Sequence, residues 1–123
     1  MRRLLITASA AMLLAGPAFA ADDIMAGYYG NTVVSTGGAI ESHTHYKADH
    51  TFDAMFSGMG QTFASKGTWA IDGTGQLCRT YDPPPPGMTN PVCIPAAAHK
   101  VGDNWTVTVG GATRAVTMKA GIE

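Results

Sequence analysis

The stretch QTFASKGTWAIDGTGQLCRTY, residues 61–81, decides the fold of this chain. Its two ends, QTFASKGTWAI and QLCRTY, are rich in β-branched and aromatic residues, which favour strands. Between them stands DGTG at 72–75, a sequence typical of the tight turn of a β-hairpin. Gly67 interrupts the first half and predicts a bulge or kink there. The stretch therefore predicts two antiparallel strands joined by a short turn.

The same rhythm of short strands and glycine-rich turns continues in both directions from this hairpin. Further strands are predicted at YYGNTVVS (28–35), IESHTHYK (40–47), TFDAMF (51–56), NWTVTV (104–109) and RAVTMK (114–119). No segment sustains the apolar spacing of a long helix, and PAAAHK (95–100) predicts at most one helical turn. Strands at intervals of about ten residues predict an all-β fold, a small antiparallel meander that closes as a barrel or packs as a sandwich.

The chain has two cysteines, Cys78 and Cys93, and they are predicted to form a disulfide. The segment between them, RTYDPPPPGMTNPV, is polar and rich in proline, so it predicts a loop rather than a helix or a strand. The spacing is not the C-x-x-C of redox couples. The fold is therefore expected to carry one disulfide-closed, Pro-rich loop.

The first twenty residues, MRRLLITASAAMLLAGPAFA, have the organisation of a secretory signal peptide. Two arginines precede a short apolar run, and the segment ends in an A-x-A cleavage site. Residues 1–20 are therefore predicted to direct export, and residues 21–123 to form a single β domain that is periplasmic or secreted. The mature part contains no apolar run of the about 20 residues that a transmembrane helix needs.

The charge of the chain argues against a nucleic-acid partner. The net charge is −1 at pH 7, and no run of Lys or Arg follows Arg2 and Arg3, whereas a nucleic-acid site needs a clustered basic face. Catalytic motifs such as G-x-S-x-G, H-E-x-x-H and the P-loop are also missing from the sequence. The expected partner is a small molecule or another periplasmic protein, and no catalytic residue is assigned.

Four segments together resemble a known group of proteins. The succession GYYGNT, HYKADHTFDAMF, GTWAIDGTGQLC and HKVGDNWTV is similar to small exported lipocalin-like β proteins of alphaproteobacteria, which carry the pattern Y-x-A-D-G-T-F … G-T-W-x-x-D-G-x-x-L-C. The resemblance implies a lipocalin-like form and export, and no reaction, because its motifs mark strand ends and turns. His50 stands where the pattern has glycine. Because His adopts a positive φ less readily than Gly, the turn is expected to be less tight here.

Three of the four histidines fall within ESHTHYKADHTF, residues 41–52. On the predicted strand, one face carries Glu41, His43, His45 and Lys47, and the other carries Ile40, Ser42, Thr44 and Tyr46. Two imidazoles at this spacing can bind one cation, which makes a zinc or copper site one hypothesis, with His50, Glu41, Asp53 or His99 as the third ligand. The alternatives are that this face is the solvated side of the sheet, or that it lines a ligand pocket.

The core is expected to lie on the other face, because Ile40 and Tyr46 belong to it. Trp69 and Trp105 are expected to be large core side chains, each with a partner for its indole N–H. A domain of about 100 residues is short of core and leaves little room for an internal cavity. The histidine face is expected to be exposed to solvent, or at most to line a shallow groove.

Two classes of function remain. The first is a non-enzymatic exported module that binds a small molecule or a protein and needs no cofactor, with His43, His45, Tyr46 and Trp69 as candidate contact residues. The second is a metal-binding protein or small enzyme that uses His43, His45 and His50 with zinc or copper.

Overall fold

The computed structural model describes residues 24–123, and these residues form an all-β fold of eight antiparallel strands. The strands are β1 (Thr32–Gly37), β2 (Ile40–Tyr46), β3 (Thr51–Gly58), β4 (Gln61–Ile71), β5 (Gln76–Asp82), β6 (Val92–Pro95), β7 (Asn104–Val109) and β8 (Ala112–Lys119). They form one sheet in the order β6-β5-β4-β3-β2-β1-β8-β7, and its two end strands approach each other. The predicted meander is therefore confirmed as a nearly closed barrel.

The predicted signal peptide, residues 1–20, lies outside the described residues. Between residues 24 and 123, no helix is long and apolar enough to cross a membrane.

The hairpin predicted at residues 61–81 is confirmed as β4, a tight turn and β5. One carboxylate oxygen of Asp72 accepts hydrogen bonds from the main-chain N–H groups of Thr74 and Gln76, both at 2.9 Å. This local bonding is the reason that aspartate favours turns. The hairpin therefore closes through side chains of its own sequence.

Gly67 does not form the predicted bulge. It pairs in continuous register with Phe52 of β3 and with Tyr81 of β5. A Cβ at this position would overlap the carbonyl oxygen of Thr80 and lie 3.1 Å from the Phe52 ring. Glycine is therefore needed because neighbouring groups approach the backbone closely.

The inward faces of the strands follow the alternation of the sequence. On β2, Ser42, Thr44 and Tyr46 are buried inside the barrel, as the split of faces predicts. The buried apolar side chains of the core are Met25, Tyr28, Val33, Tyr46, Phe52, Ala54, Trp69, Leu77, Tyr81, Val92, Val116 and Met118. Trp69 is among them, and its indole N–H donates to the carbonyl oxygen of Lys47 at 3.0 Å, as expected. Trp105 is only half-buried, contrary to expectation, because it lies on β7 at the end of the sheet.

Residues 24–31 close one end of the barrel instead of beginning the predicted strand at residue 28. Residues 24 and 25 lie in a helical turn, and β1 begins only at Thr32. Gly30 has a φ of 77°, which reverses the chain before that strand. The Met25 side chain is fully buried, and the Tyr28 hydroxyl donates to the carbonyl oxygen of Ala97 at 2.8 Å. This segment caps the barrel interior because it packs on the connection between β6 and β7.

Strand β6 was not predicted from the sequence, and the segment 79–92 that was expected to be loop is strand at both ends, since residues 79–82 belong to β5 and Val92 begins β6. The helical turn predicted at 95–100 is absent from the structure. The four residues of β6 pair with β5, and Cys78 lies directly opposite Cys93 in that pairing. The predicted disulfide joins these two residues. The covalent link fixes a strand that is too short and too proline-flanked for sequence periodicity to indicate.

We expect Cys78→Ser to lower the free energy of unfolding by about 2–3 kcal/mol, because closing a loop of about 15 residues restricts the unfolded chain. The loop should stay in place in the folded variant, because the Asn90 side chain bonds both main-chain groups of Tyr81 at 2.7 and 2.8 Å. Urea unfolding of the unreduced protein measures the change, and the Cys78→Ser/Cys93→Ser double variant controls for a reactive free thiol. Two titratable thiols in the unreduced wild type would contradict the assignment.

In the turn between β2 and β3, His50 adopts the left-handed conformation that glycine favours. His50 has a φ of 69°, and its N–H donates to the carbonyl oxygen of Lys47 at 3.1 Å. Its ring stacks on Trp69, with centroids 4.1 Å apart and planes 14° from parallel. The stacking offsets the strain of a positive φ at a residue other than glycine.

Candidate functional site

The His43 and His45 side chains lie on the outer face of the barrel, opposite the inward residues of β2. His43 Nε2 lies 2.6 Å from a Glu41 oxygen, and His45 Nδ1 lies 2.6 Å from an Asp53 oxygen. His45 is the more enclosed, with 13% of its side chain exposed against 27% for His43. Its other nitrogen lies 3.1 Å from the main-chain oxygen of Glu123. Each imidazole is therefore paired with a different carboxylate.

Asp53 lies between His45 and Lys47. One Asp53 oxygen pairs with His45, and the other lies 3.2 Å from Lys47 Nζ. Burial works to raise the pKa of the Asp53 carboxyl, but hydrogen bonds from His45 and Lys47 outweigh it and hold this pKa below its usual range. Because the folded protein then holds this carboxylate ionised, the group contributes stability at neutral pH that is lost as the pH falls through the lowered pKa. The role of this cluster is to join β2, β3 and the chain end.

The structure does not bring His43, His45 and His50 together as metal ligands. His50 stacks on Trp69 at the turn, and His99 stacks on Trp105 with centroids 3.4 Å apart. Within residues 24–123, no group of three or more His, Cys, Asp or Glu side chains could hold a metal ion. The geometry of this part of the chain gives the zinc or copper hypothesis no ligand set.

We expect His45→Ala to cost about 1 kcal/mol of unfolding free energy, since it removes a half-buried hydrogen bond to a carboxylate. His43→Ala is the matched control on the same face and should stay within about 0.5 kcal/mol, the usual range for surface changes. Chemical denaturation at pH 7 measures both. Equal losses for the two variants would contradict the structural role assigned to the pair of His45 and Asp53.

The barrel contains a cavity of about 480 Å³, so the expectation that a domain of this size leaves little room for an internal cavity is wrong. Its walls reach the tips of three hairpins and the Pro-rich loop, where Met59 is exposed at the rim. The opposite end is closed by residues 24–31, whose Tyr28 ring packs against Tyr46 at 5.6 Å. The cavity is therefore a pocket within the barrel that opens at one end.

Apolar side chains form most of the cavity wall, and hydroxyl groups form a minor part. The apolar residues include Val33, Ile40, Phe56, Phe63, Leu77, Met88, Ile94, Trp105, Val107 and Val116. Ser42 and Thr44, both buried on β2, place small polar groups in this wall. Small inward residues make the room, because larger ones at these positions would fill a barrel of this size.

Of the four residues predicted to contact a ligand, the structure places only Tyr46 in the cavity wall. His43 and His45 point to the outside of the barrel, and Trp69 is buried beneath Tyr46 at the closed end, with ring centroids 6.5 Å apart. The hypothesis that the histidine face lines a ligand pocket is therefore wrong for this cavity. The alternation of β2 directs Tyr46 into the barrel and both histidines to the outside.

Two arginines line the cavity, and neither was identified from the sequence. Arg79 is buried in the interior, with 9% of its surface exposed. Arg114 lies toward the open end, where its Nε donates to the Ser35 hydroxyl at 2.7 Å and one terminal nitrogen donates to the Ser35 carbonyl at 3.2 Å. The signal for Arg79 was present in the alternation of β5, where it stands between the inward residues Leu77 and Tyr81.

Electrostatic interactions link these groups across the cavity. Burial works against the charged form of Arg79, but Tyr46 and Tyr81 outweigh it and raise the pKa of the guanidinium. Burial lowers the pKa of Arg114, and repulsion by Arg79 adds to that shift while Tyr81 opposes it. Burial also raises the pKa of Tyr81 to about 12, so its hydroxyl stays protonated at neutral pH. The interior therefore holds two positive charges that repel each other.

Comparison of the chain with models of protein families, with curated proteins and with solved structures returns no match.

Proposed function

We propose that this protein is an exported binding module that holds one small, largely apolar molecule inside its barrel. The observation that carries the proposal is the cavity of about 480 Å³, open at one end and lined mainly by apolar and aromatic side chains. Sites for small molecules span about 300–1,000 Å³ and are built in this way, often in the mouths of β-barrels. The resemblance of the sequence to small exported lipocalin-like proteins agrees with this proposal.

The shape of the cavity favours a small molecule over a protein partner. A protein partner would need an exposed surface of roughly 800 Å² on this side of the interface. The apolar surface here instead faces inward, and the large apolar side chains that the described residues leave exposed are Met55, Met59, Val101 and Ile122. A molecule that enters the barrel would bury its apolar surface at about 25 cal/mol per Å², which is the driving force for binding.

Binding of a neutral fluorescent probe, N-phenylnaphthylamine, tests the proposal. We expect it to bind with one-to-one stoichiometry and a blue-shifted emission. Thr44→Phe should abolish this binding, because the side chain points into the cavity and a ring there would occupy the space of the probe. His43→Phe adds the same ring on the outer face of the same strand and should leave binding unchanged. Binding that survives Thr44→Phe in a folded variant would overturn the proposal.

Export has a separate test. Expression of the full chain should yield periplasmic or secreted protein that begins at Ala21, as measured by fractionation and intact mass. The disulfide supports this location, because disulfides persist in oxidising compartments. Unprocessed protein in the cytoplasm would contradict export. It would not affect the proposed binding of a small molecule in the cavity, which the probe experiment tests separately.

A further inference from the structure

We infer that the cavity selects a monocarboxylate with an apolar body, and that Arg79 binds the carboxylate. The inference rests on the proposed function and deepens it, since it names the chemical class of the ligand. Its basis is the chemistry at the inner end of the cavity, where a positive charge lies among apolar and aromatic groups without a negative partner among the described residues.

The first observation is the incomplete bonding of the Arg79 guanidinium. It has five N–H donors. Its Nε lies 3.4 Å from the Val92 carbonyl oxygen, and one terminal nitrogen lies 3.5 Å from the Tyr46 hydroxyl. Both distances exceed the usual 2.9–3.0 Å by about half an ångström, so these bonds are weak. The guanidinium carbon also lies 5.6 Å from the centre of the Tyr81 ring. Within residues 24–123, most of the donor capacity of Arg79 is therefore unused.

The second observation is the lack of a counter-charge. No Asp or Glu occurs among the residues of the part from 24 to 123 that line the cavity. The pairs of this part between basic and acidic side chains all lie elsewhere, and their basic members are His43, His45, Lys47, His99 and Lys100. A buried charge without a partner is costly, and proteins pair such charges or bind ions with them. An anionic ligand would supply the missing charge.

The third observation is that hydroxyl donors stand beside Arg79. The Tyr46 hydroxyl accepts from Arg79, which leaves its own proton for another acceptor. The Tyr81 hydroxyl is protonated at neutral pH, and Tyr81 lines the cavity. Arginine with neighbouring hydroxyl donors suits a carboxylate, since the guanidinium fork matches its two oxygens.

The charge and shape of the cavity further restrict the chemical class of the ligand. Arg114 has its own acceptors in Ser35 and in the Ile40 carbonyl oxygen at 3.4 Å. Both guanidinium charges lack a negative partner within residues 24–123, but the donors of Arg114 are largely occupied by these acceptors, so Arg79 is the one that presents its fork to a ligand. One fork matches the two oxygens of a single carboxylate. Since the wall from Arg79 to the rim at Met59 is mainly apolar, the rest of the ligand is an alkyl or aromatic body that points to the open end.

The experiment compares decanoate with decanol, which has the same chain but no charge. Isothermal titration of the mature protein at pH 7.4, below the concentration at which decanoate forms micelles, should show decanoate binding roughly tenfold or more tightly, as a hydrogen-bonded charge pair would produce. Arg79→Met should remove this preference while decanol binding persists. Lys66→Met removes one positive charge from an exposed position and should keep the preference.

Each outcome decides the inference. Equal affinity of the wild type for the two probes would overturn it while leaving the proposed function in place, because an apolar site would still be occupied. Binding of neither probe would overturn the proposed function together with the inference. If Arg79→Met does not fold, Tyr46→Phe removes only the neighbouring hydroxyl, and it should reduce the preference for decanoate several-fold. A preference unchanged in a folded Arg79→Met variant would also overturn the inference.

Discussion

Gly67→Ala is expected to destabilise the barrel by roughly 3 kcal/mol or more, at or beyond the upper end of the usual cost of overpacking. The added methyl group would overlap the carbonyl oxygen of Thr80, which belongs to the backbone of β5 and cannot rotate away. It would also press on the Phe52 ring in the core. Relief requires β4 and β5 to separate, which breaks the pairing of the hairpin that organises the fold.

Gly73→Ala is the matched control for this substitution. Gly73 lies in the turn of the same hairpin, and apart from its own chain neighbours no atom of the described residues lies within 4 Å of a Cβ built there. Its substitution should change stability by less than about 1 kcal/mol. Thermal and urea unfolding of the two variants measure the contrast. Similar stabilities would mean that the close approach of β5 to Gly67 does not constrain the folded protein.

Phe52→Ala should cost about 3–5 kcal/mol, the usual loss when a fully buried aromatic side chain is truncated. The Phe52 side chain is 2% exposed and packs edge-on against Tyr81, with ring centroids 5.0 Å apart, and against Tyr46 at 6.0 Å. Domains of this size have a total stability of about 5–15 kcal/mol, so the variant should be close to unfolding at 37 °C. Urea unfolding measures this loss, and the m-value is expected to stay unchanged.

Phe63→Ala serves as the comparison for Phe52→Ala. Phe63 is half-buried near the open end, where it packs on Phe56 with centroids 6.2 Å apart. Its truncation leaves space that is continuous with the cavity and should cost about half as much or less, because the loss scales with the apolar contacts removed. A loss at Phe63 equal to that at Phe52 would show that the packed core extends to the open end.

The strands that the sequence predicts best are those with unbroken alternation. On β2, Ile40 and Tyr46 identify the inward face, and the structure confirms this assignment. Residues 28–31 have the composition of a strand, yet they form turns because Gly30 reverses the chain and Tyr28 is needed at the closed end. Propensity describes a segment, whereas the capping of a barrel depends on contacts between distant segments.

The candidate site was harder to predict than the fold. The histidines are few and clustered, but clustering on a strand does not say which face of the strand is enclosed. The residues on either side of Arg79 in the sequence are uncharged, and nothing in them marks Arg79 as a binding residue. Its place in the barrel interior follows only from the alternation of β5, which directs Leu77, Arg79 and Tyr81 inward. The cavity itself depends on the small size of Ser42 and Thr44. In the sequence these residues are only polar positions of a strand, and nothing in the pattern shows that they leave space inside the barrel.

The placement of the disulfide has a consequence for aggregation. Strand β6 has four residues, lies at the end of the sheet and is bonded through Cys93 to the longer β5. Reduction would free β6 to detach, and the main-chain groups of the seven-residue β5 would then form an unprotected sheet edge. Exposed edges of this length recruit strands from other molecules. A reducing environment should therefore threaten the solubility of this protein through intermolecular strand addition, even where the remaining seven strands stay paired.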